Sequence, residues 1–284
     1  MRFAVATPDS AQWLHVRAFD EAAEAVCQGL RDLGHACERL TASLSSEGTN
    51  ILFGAQHLSR SFVPPPGTIL FNLEQIVPGS LWVSPDYLAL LRQYRVWDYS
   101  ARNVETLRAA GVARIAHVPL GHVASLERIP ARAGDVDVLF YGRLIPRRVE
   151  LLERMSAHGM RVVAVNDAYA EARDALIASA KIILNVHVAQ EARLEVARCF
   201  YAMINGRFVL SEDSPDAIES GLAGGMAFAA YGDLLERAAW YLARPAERAA
   251  VAHAARSLMR ARPQAALLRP ALAELLAGGD GHAG

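Results

Sequence analysis

The chain has 284 residues, 52% of them hydrophobic and 21% charged, enough apolar material for one large domain or two modest ones. Its 29 Lys plus Arg nearly balance its 30 Asp plus Glu. That balance excludes a long-range field able to draw in nucleic acid or an anionic membrane, so a bound anion has to be held by a local basic cluster.

Three cysteines (Cys27, Cys37 and Cys199) without a CxxC pair make neither a disulfide framework nor a thiol metal site. The apolar start at residues 2–7 is too short for a signal peptide, and no uncharged run approaches the roughly 20 residues needed to span a bilayer. A cytoplasmic protein without a transmembrane segment is expected.

Residues 2–7 read as a first buried strand ending in a Pro-Asp turn, and 18–34 as a helix on Ala22, Val26, Leu30 and Leu33 with Gly34 at its end. Strands follow at 51–55 and 68–72, a helix at 85–94, a strand at 96–100, a helix at 103–110 and a closing segment at 115–121. Residues 121–134 lack periodicity and read as a linker. The alternation then restarts: strand 137–142, helix 147–158, strand 161–165, helix 169–179, strand 181–186, helix 191–204 and strand 207–211. The alanine-, leucine- and arginine-rich remainder, 231–276, reads as helices. Strands separated by helices of this length imply parallel sheets with right-handed crossovers. The expected architecture is therefore α/β: two Rossmann-like doubly wound domains, 1–124 and 125–276, facing a cleft, with a flexible tail at 277–284.

Open parallel sheets bind ligands beyond the carboxyl ends of their strands, so polar residues there are the candidates. The first cluster is Tyr141-Gly142-Arg143-Leu144-Ile145-Pro146-Arg147-Arg148. The glycine lets a ligand approach the backbone, a helix N-terminus offers free N–H groups, and three arginines supply forked donors to a pyrophosphate without a metal. The alternative is a solvated, arginine-rich helix start. The second cluster runs from Ser179 to His187 and includes Lys181, with Asn185 and His187 projecting from a strand end. The third places Glu191, Glu195 and Arg198 on one helical face, followed by Ser211-Glu212-Asp213, where Glu212 suits a ribose or sugar diol. An ordinary salt-bridged surface explains the helical charges equally well. In the first half Asp9, His15 and Glu74 are candidates for the general base, while Asn72, Gln75, Asp98, Tyr99 and Asn103 fall near strand ends. Trp13, Trp82 and Trp97 can line an acceptor site or pack the core.

From Asp137 to about Leu234 the series Tyr141-Gly142-Arg143, Arg147-Arg148, Lys181-Ile182-Ile183-Leu184-Asn185-Val186-His187, Arg198, Asn205-Gly206 and Ser211-Glu212-Asp213 resembles the donor half of GT-B glycosyltransferases of the bacterial family-1 and spore-maturation type. Asn72-Leu73-Glu74-Gln75 and Trp97-Asp98-Tyr99-Ser100 extend the likeness loosely to the first half. The resemblance implies a metal-independent hexosyltransferase using a UDP-, GDP- or dTDP-linked sugar, no cofactor beyond that co-substrate, and an unidentified acceptor. Gly142, Arg143, Arg147, Arg148, Lys181, Asn185, His187, Arg198 and Glu212 would bind the donor. One departure is Tyr201, which stands where many such enzymes carry a ribose-holding glutamate; Glu195 or Glu212 would have to replace it. Asp135-Val136-Asp137 has metal-site spacing but enters a strand rather than leaving one, and is rejected. Alternatives are a non-catalytic nucleotide-sugar-binding subunit, a sugar-nucleotide epimerase on the same fold, or a periplasmic-type binding protein, against which the missing signal peptide argues.

Overall fold

The computed structural model describes residues 1–277 except 10, 12–13, 59–61, 81, 131, 133 and 190–192. The chain divides into two compact units, 1–123 with 262–284, and 124–261. The closing helix thus returns to the first unit, whereas the sequence pattern places all of 125–276 in the second.

The first unit holds a parallel six-stranded sheet in the order β2-β1-β3-β4-β5-β6. Its strands are β1 (Arg2–Thr7), β2 (Ala36–Thr41), β3 (Thr49–Phe53), β4 (Ile69–Asn72), β5 (Arg95–Asp98) and β6 (Ile115–His117). The helices are α1 (Asp20–Asp32), α2 (Pro85–Gln93), α3 (Ala101–Ala109) and, from the far end of the chain, α9 (Gln264–Ala277). Helix α1 buries Ala22, Ala23, Val26 and Leu30, and Gly34 follows it with φ +82°. Serines cap α2 and α3: Ser84 Oγ accepts from Tyr87 N and Ser100 Oγ from Asn103 N. Strand β2 has no counterpart among the strands expected from sequence.

The second unit carries a parallel five-stranded sheet in the order β11-β10-β9-β7-β8. It is built from β7 (Val136–Tyr141), β8 (Val162–Val165), β9 (Ala180–Asn185), β10 (Val209–Glu212) and β11 (Ala227–Ala229). Its helices are α4 (Pro146–Ala157), α5 (Ala170–Ser179), α6 (Val196–Ile204), α7 (Leu234–Leu242) and α8 (Pro245–Arg260). Val138, Phe140, Ile182, Leu184 and Leu210 meet Leu151, Met155 and Leu234 in its core. The expected helix at 191–204 begins at Val196, so Glu195 precedes it instead of riding its face; Glu191 lies outside the described residues, as do Trp13 and 278–284 of the expected tail. The short strand β11 is likewise absent from the sequence pattern.

No helix among the described residues is long and apolar enough to cross a membrane.

Candidate functional site

In the second unit, strand register decides which candidates meet. Leu139 pairs with Ile183 and Asn185 with Ser211, so Tyr141, Asn185 and Ser211 stand at one level near the carboxyl edge of the sheet. The residues just past that level are Gly142, His187 and Asp213.

Arginines organise this edge. Arg147, in the first turn of α4, makes a two-pronged ion pair with Glu212, one prong at 2.7 Å, and donates from Nη1 to the His187 carbonyl at 3.0 Å. Its guanidinium lies 3.9 Å from the Tyr231 ring centroid, and the Tyr231 hydroxyl donates to the Arg147 carbonyl at 2.7 Å. The hydrogen bond to Glu212 raises the Arg147 pKa still further. Glu212 also accepts the His187 backbone N–H at 3.0 Å, which uses the carboxylate expected to hold a ribose diol.

Arg148 is fully buried. It donates from Nε to the Val186 carbonyl at 2.8 Å, from Nη1 to the Arg143 carbonyl at 2.8 Å, and pairs with Glu195. Burial brings its pKa down to about 10. Arg198 donates from Nε to the Tyr141 carbonyl at 2.8 Å and from Nη1 to Asn185 Oδ1 at 2.6 Å, and shares Glu195 with Arg148. Burial opposes ionisation of Glu195, but the Arg198 and Arg148 charges outweigh it and hold its carboxyl below the usual range. Asn185 passes a hydrogen bond on to Ser211 Oγ at 3.0 Å.

Gly142 is where only glycine fits. Its φ is +132°, and a Cβ there would fall against Arg198 Nη2. Arg143, next in the chain, is exposed, and its side chain makes no hydrogen bond or ion pair among the described residues. His187 is fully buried, with Nε2 3.2 Å from the Asp213 carbonyl. A carbonyl only accepts, so Nε2 carries the proton, and Nδ1 has no hydrogen-bond partner among the described residues.

Lys181 does not join this group. It sits at the start of β9 and pairs with Asp137 at 2.7 Å, about 13 Å along the strand from Asn185. The Asp137 carboxylate is thereby committed to Lys181 and to the Arg161 backbone N–H. Tyr201 is buried; its hydroxyl donates to Asp174 Oδ2 at 2.8 Å and accepts from Arg128 Nε at 3.0 Å. Of the three arginines assigned to a diphosphate, Arg148 is structural, Arg147 is clamped at the edge and Arg143 is open. Three guanidiniums, of Arg147, Arg148 and Arg198, pair with Glu195 and Glu212; with Arg143, unpaired among the described residues, the positive charge exceeds the negative by one even when the exposed Asp213 is counted.

The first unit gathers a second polar group at its own carboxyl edge. Phe53 and Phe71 pair in register, and their rings stack with centroids 4.5 Å apart. Three residues beyond each, Gln56 Nε2 donates to Glu74 Oε1 at 2.6 Å. Burial pushes the Glu74 carboxyl up to about 7, with the Gln56 hydrogen bond opposing the rise. His57 adjoins Gln56 and meets the Trp82 ring edge-on at 4.6 Å; burial and the nearby His15 lower its pKa. His15 is exposed on a 3-10 turn, and Asp9 Oδ1 accepts from Ala11 N in its own turn at 2.8 Å. Beneath them Asn72 Nδ2 donates to Asp98 at 2.6 Å, Tyr87 donates to Asn72 Oδ1 at 2.9 Å and Asn103 donates to Asp98 at 3.1 Å, a buried network that supports the strand ends. Trp97 is core; Trp82 is partly exposed. Sequence reasoning missed Gln56 and His57, because the apolar run ends at residue 55 with no chemical signal after it, and Tyr231, which follows the unread strand β11.

No protein-family model matches the chain. Over 157 residues, 51% of the chain, it is 28% identical to the uncharacterized protein L140 of Acanthamoeba polyphaga mimivirus, covering 49% of it. The chain thus spans about half the length of the curated relative it matches. Among solved structures it is similar to AviGT4, a glycosyltransferase involved in avilamycin A biosynthesis, with TM-score 0.56 and 16% identity over 97% of this chain and 98% of that one. It is similar also to Anabaena HepE in complex with UDP and glucose, with TM-score 0.61 and 12% identity over 98% and 100%. With its two parallel sheets the chain has the GT-B fold, the one found in those glycosyltransferases.

Proposed function

We propose that the chain is a glycosyltransferase that takes its sugar from a nucleoside-diphosphate donor held at the carboxyl edge of the second sheet. The carrying observation is the arginine cluster: Arg147 locked by Glu212 and Tyr231, Arg143 open beside Gly142, and positive charge in excess. Preorganised guanidiniums of this kind stabilise a departing diphosphate in place of a metal ion. Arg148, Arg198 and Glu195 hold that edge in shape. Glu212 orients Arg147, a different role from direct diol binding. Complexes of HepE with UDP and with UDP-glucose support the donor class by fold likeness.

At the first unit Glu74 is the general base for the acceptor hydroxyl. A carboxyl group near 7 exchanges a proton at working pH, and Gln56 fixes its rotamer. His15 and Asp9 are set aside, the former solvated and the latter serving its turn.

A thermal-shift screen with UDP, GDP, dTDP and CMP tests the donor assignment. A nucleotide at a hundred times its Kd adds about 2.7 kcal/mol of stability. Arg143→Ala should leave the ligand-free melting point nearly unchanged and remove most of the shift. Four nucleotides without effect would end the donor reading. Tyr201, tied to Asp174 and Arg128 rather than free, favours a second reading: nucleotide-sugar binding without transfer. Slow release of free sugar from the bound donor, followed over days with and without EDTA, separates the two, since a metal-free transferase leaks sugar in both.

A further inference from the structure

The connection between β4 and α2 carries Glu74 and, further along, Trp82, and hydrogen bonds pin it at both ends. The Glu74 carbonyl accepts from Asn72 Nδ2 at 2.9 Å and from Asn103 Nδ2 at 2.8 Å, and the Ile76 N–H donates to Asn103 Oδ1 at 3.0 Å. The Ser80 N–H then closes a turn on the Val77 carbonyl at 3.2 Å, and Ser84, just past Trp82, caps α2. Trp82 is thus held from both sides, yet 39% of it stays open to solvent.

The neighbouring strand end braces the indole. Gly54, with φ +70°, turns the chain after β3 into the short 3-10 segment Ala55–His57. That turn sets His57 against the Trp82 ring, with centroids 4.6 Å apart at 71°, and Phe19 packs on the same imidazole at 6.2 Å. It also sets Gln56 on the Glu74 carboxyl. One cluster therefore offers an indole of fixed orientation, an amide and a carboxyl.

Such a mixture selects its occupant by chemistry. A fatty chain would cover the indole but strip water from Gln56 and Glu74 without replacing its hydrogen bonds. A phosphate or carboxylate would meet the Glu74 charge once that group ionises. A pyranose meets both demands: its C–H face carries slight positive charge and matches the negative face of an indole, while its hydroxyls supply the amide and the carboxyl with partners.

We propose that Trp82 is the platform of an acceptor subsite for a neutral carbohydrate, whose ring stacks on the indole with one hydroxyl directed to Glu74. That hydroxyl is the one Glu74, read as the base, deprotonates, so the subsite rests on that reading and names the class of acceptor it serves. Because His57 already confines the indole, little side-chain freedom is lost when the sugar arrives.

The test is saturation-transfer NMR on the full chain, without nucleotide, against methyl glucoside, methyl galactoside, methyl mannoside and methyl xyloside. Octanol and octyl phosphate stand for the competing classes. At least one glycoside should receive saturation, strongest on its ring C–H protons. Trp82→Ala should weaken its binding roughly tenfold, and Trp82→Phe by roughly threefold or less. The phenylalanine variant keeps an aromatic face, so its retained affinity separates lost stacking from a loop that has come apart. Four glycosides without saturation, preferred saturation of octanol or octyl phosphate, or glycoside binding that Trp82→Ala leaves unchanged would each overturn the proposal. Neither donor nor turnover enters this readout. Turnover that survives Glu74→Gln would instead sink the base while leaving Trp82-dependent sugar binding intact.

Discussion

Glu74→Gln is the perturbation whose consequence the structure specifies most fully. Burial raises the folded carboxyl from 4.5 to about 7, so the folded chain holds that proton more tightly than the unfolded one. The stability so contributed is complete below about 4.5 and is lost as pH climbs through about 7. The span corresponds to at most about 3 kcal/mol. Partial exposure of the residue and the Gln56 hydrogen bond reduce it, leaving about 1–3 kcal/mol, or roughly 3–10 °C in melting point for a chain of this size. The substituted amide keeps an acceptor for Gln56 and carries no charge. Melting curves between pH 5 and pH 8.5 at constant ionic strength should therefore diverge, the wild type losing ground to Glu74→Gln as pH rises. All other titrating groups are common to both chains and cancel in the difference. In the role proposed for Glu74 the same ionisation produces the base, so turnover should rise along a limb centred near 7 and be absent in the variant. Parallel melting curves would refute both the buried carboxyl and its poise as a base.

Two further substitutions probe the second unit. Arg148→Met strands Glu195 with one guanidinium and two carbonyls without their donor, and should cost about 3–5 kcal/mol in urea unfolding; a loss under about 1 kcal/mol would mean that Arg148 is not structural. Gly142→Ala places a methyl against Arg198 at φ +132° and should cost about 1–3 kcal/mol, with weaker nucleotide binding as Arg198 is displaced from Asn185; unchanged melting and affinity would show that the contact yields freely.

Much of the fold was legible because buried parallel strands are continuous apolar runs. The expected strand at 2–7 is observed as Arg2–Thr7, and the one at 137–142 as Val136–Tyr141. Strand β2 escaped because an edge strand is half-solvated and Ala-Cys-Glu-Arg-Leu-Thr has no such run. Strand β11 is three residues long and offers no period to detect. In the site, Arg143 and Arg147 were legible as basic residues at a strand-to-helix turn. Arg148 looked equivalent to them in sequence, yet neighbours on a helix point about 100° apart, and that angle carries Arg148 into the core. Lys181 was misplaced by the reverse confusion: four residues separate it from Asn185, but in a strand four residues span most of the sheet. Glu74 showed itself as a strand-end carboxylate; its partner Gln56 needs the β3–β4 pairing to be seen.

In the proposed donor site, the Arg147–Glu212 pair gives a buried carboxylate a role beside a bound anion. A lone arginine on a solvent edge samples many rotamers, and ordering it on ligand binding weakens affinity. Glu212, the His187 carbonyl and the Tyr231 ring together confine the guanidinium, so its remaining donor directions are set before a ligand arrives. The penalty is charge: the pair is close to neutral, and so is half of the Glu195 triad. Attraction for a diphosphate therefore has to come from the unneutralised member of that triad and from Arg143, which no carboxylate among the described residues engages. Geometry and charge are assigned to different arginines. That division requires loss of Arg143 to weaken binding in a salt-dependent way, and loss of Glu212 to weaken it even though a negative charge has been removed.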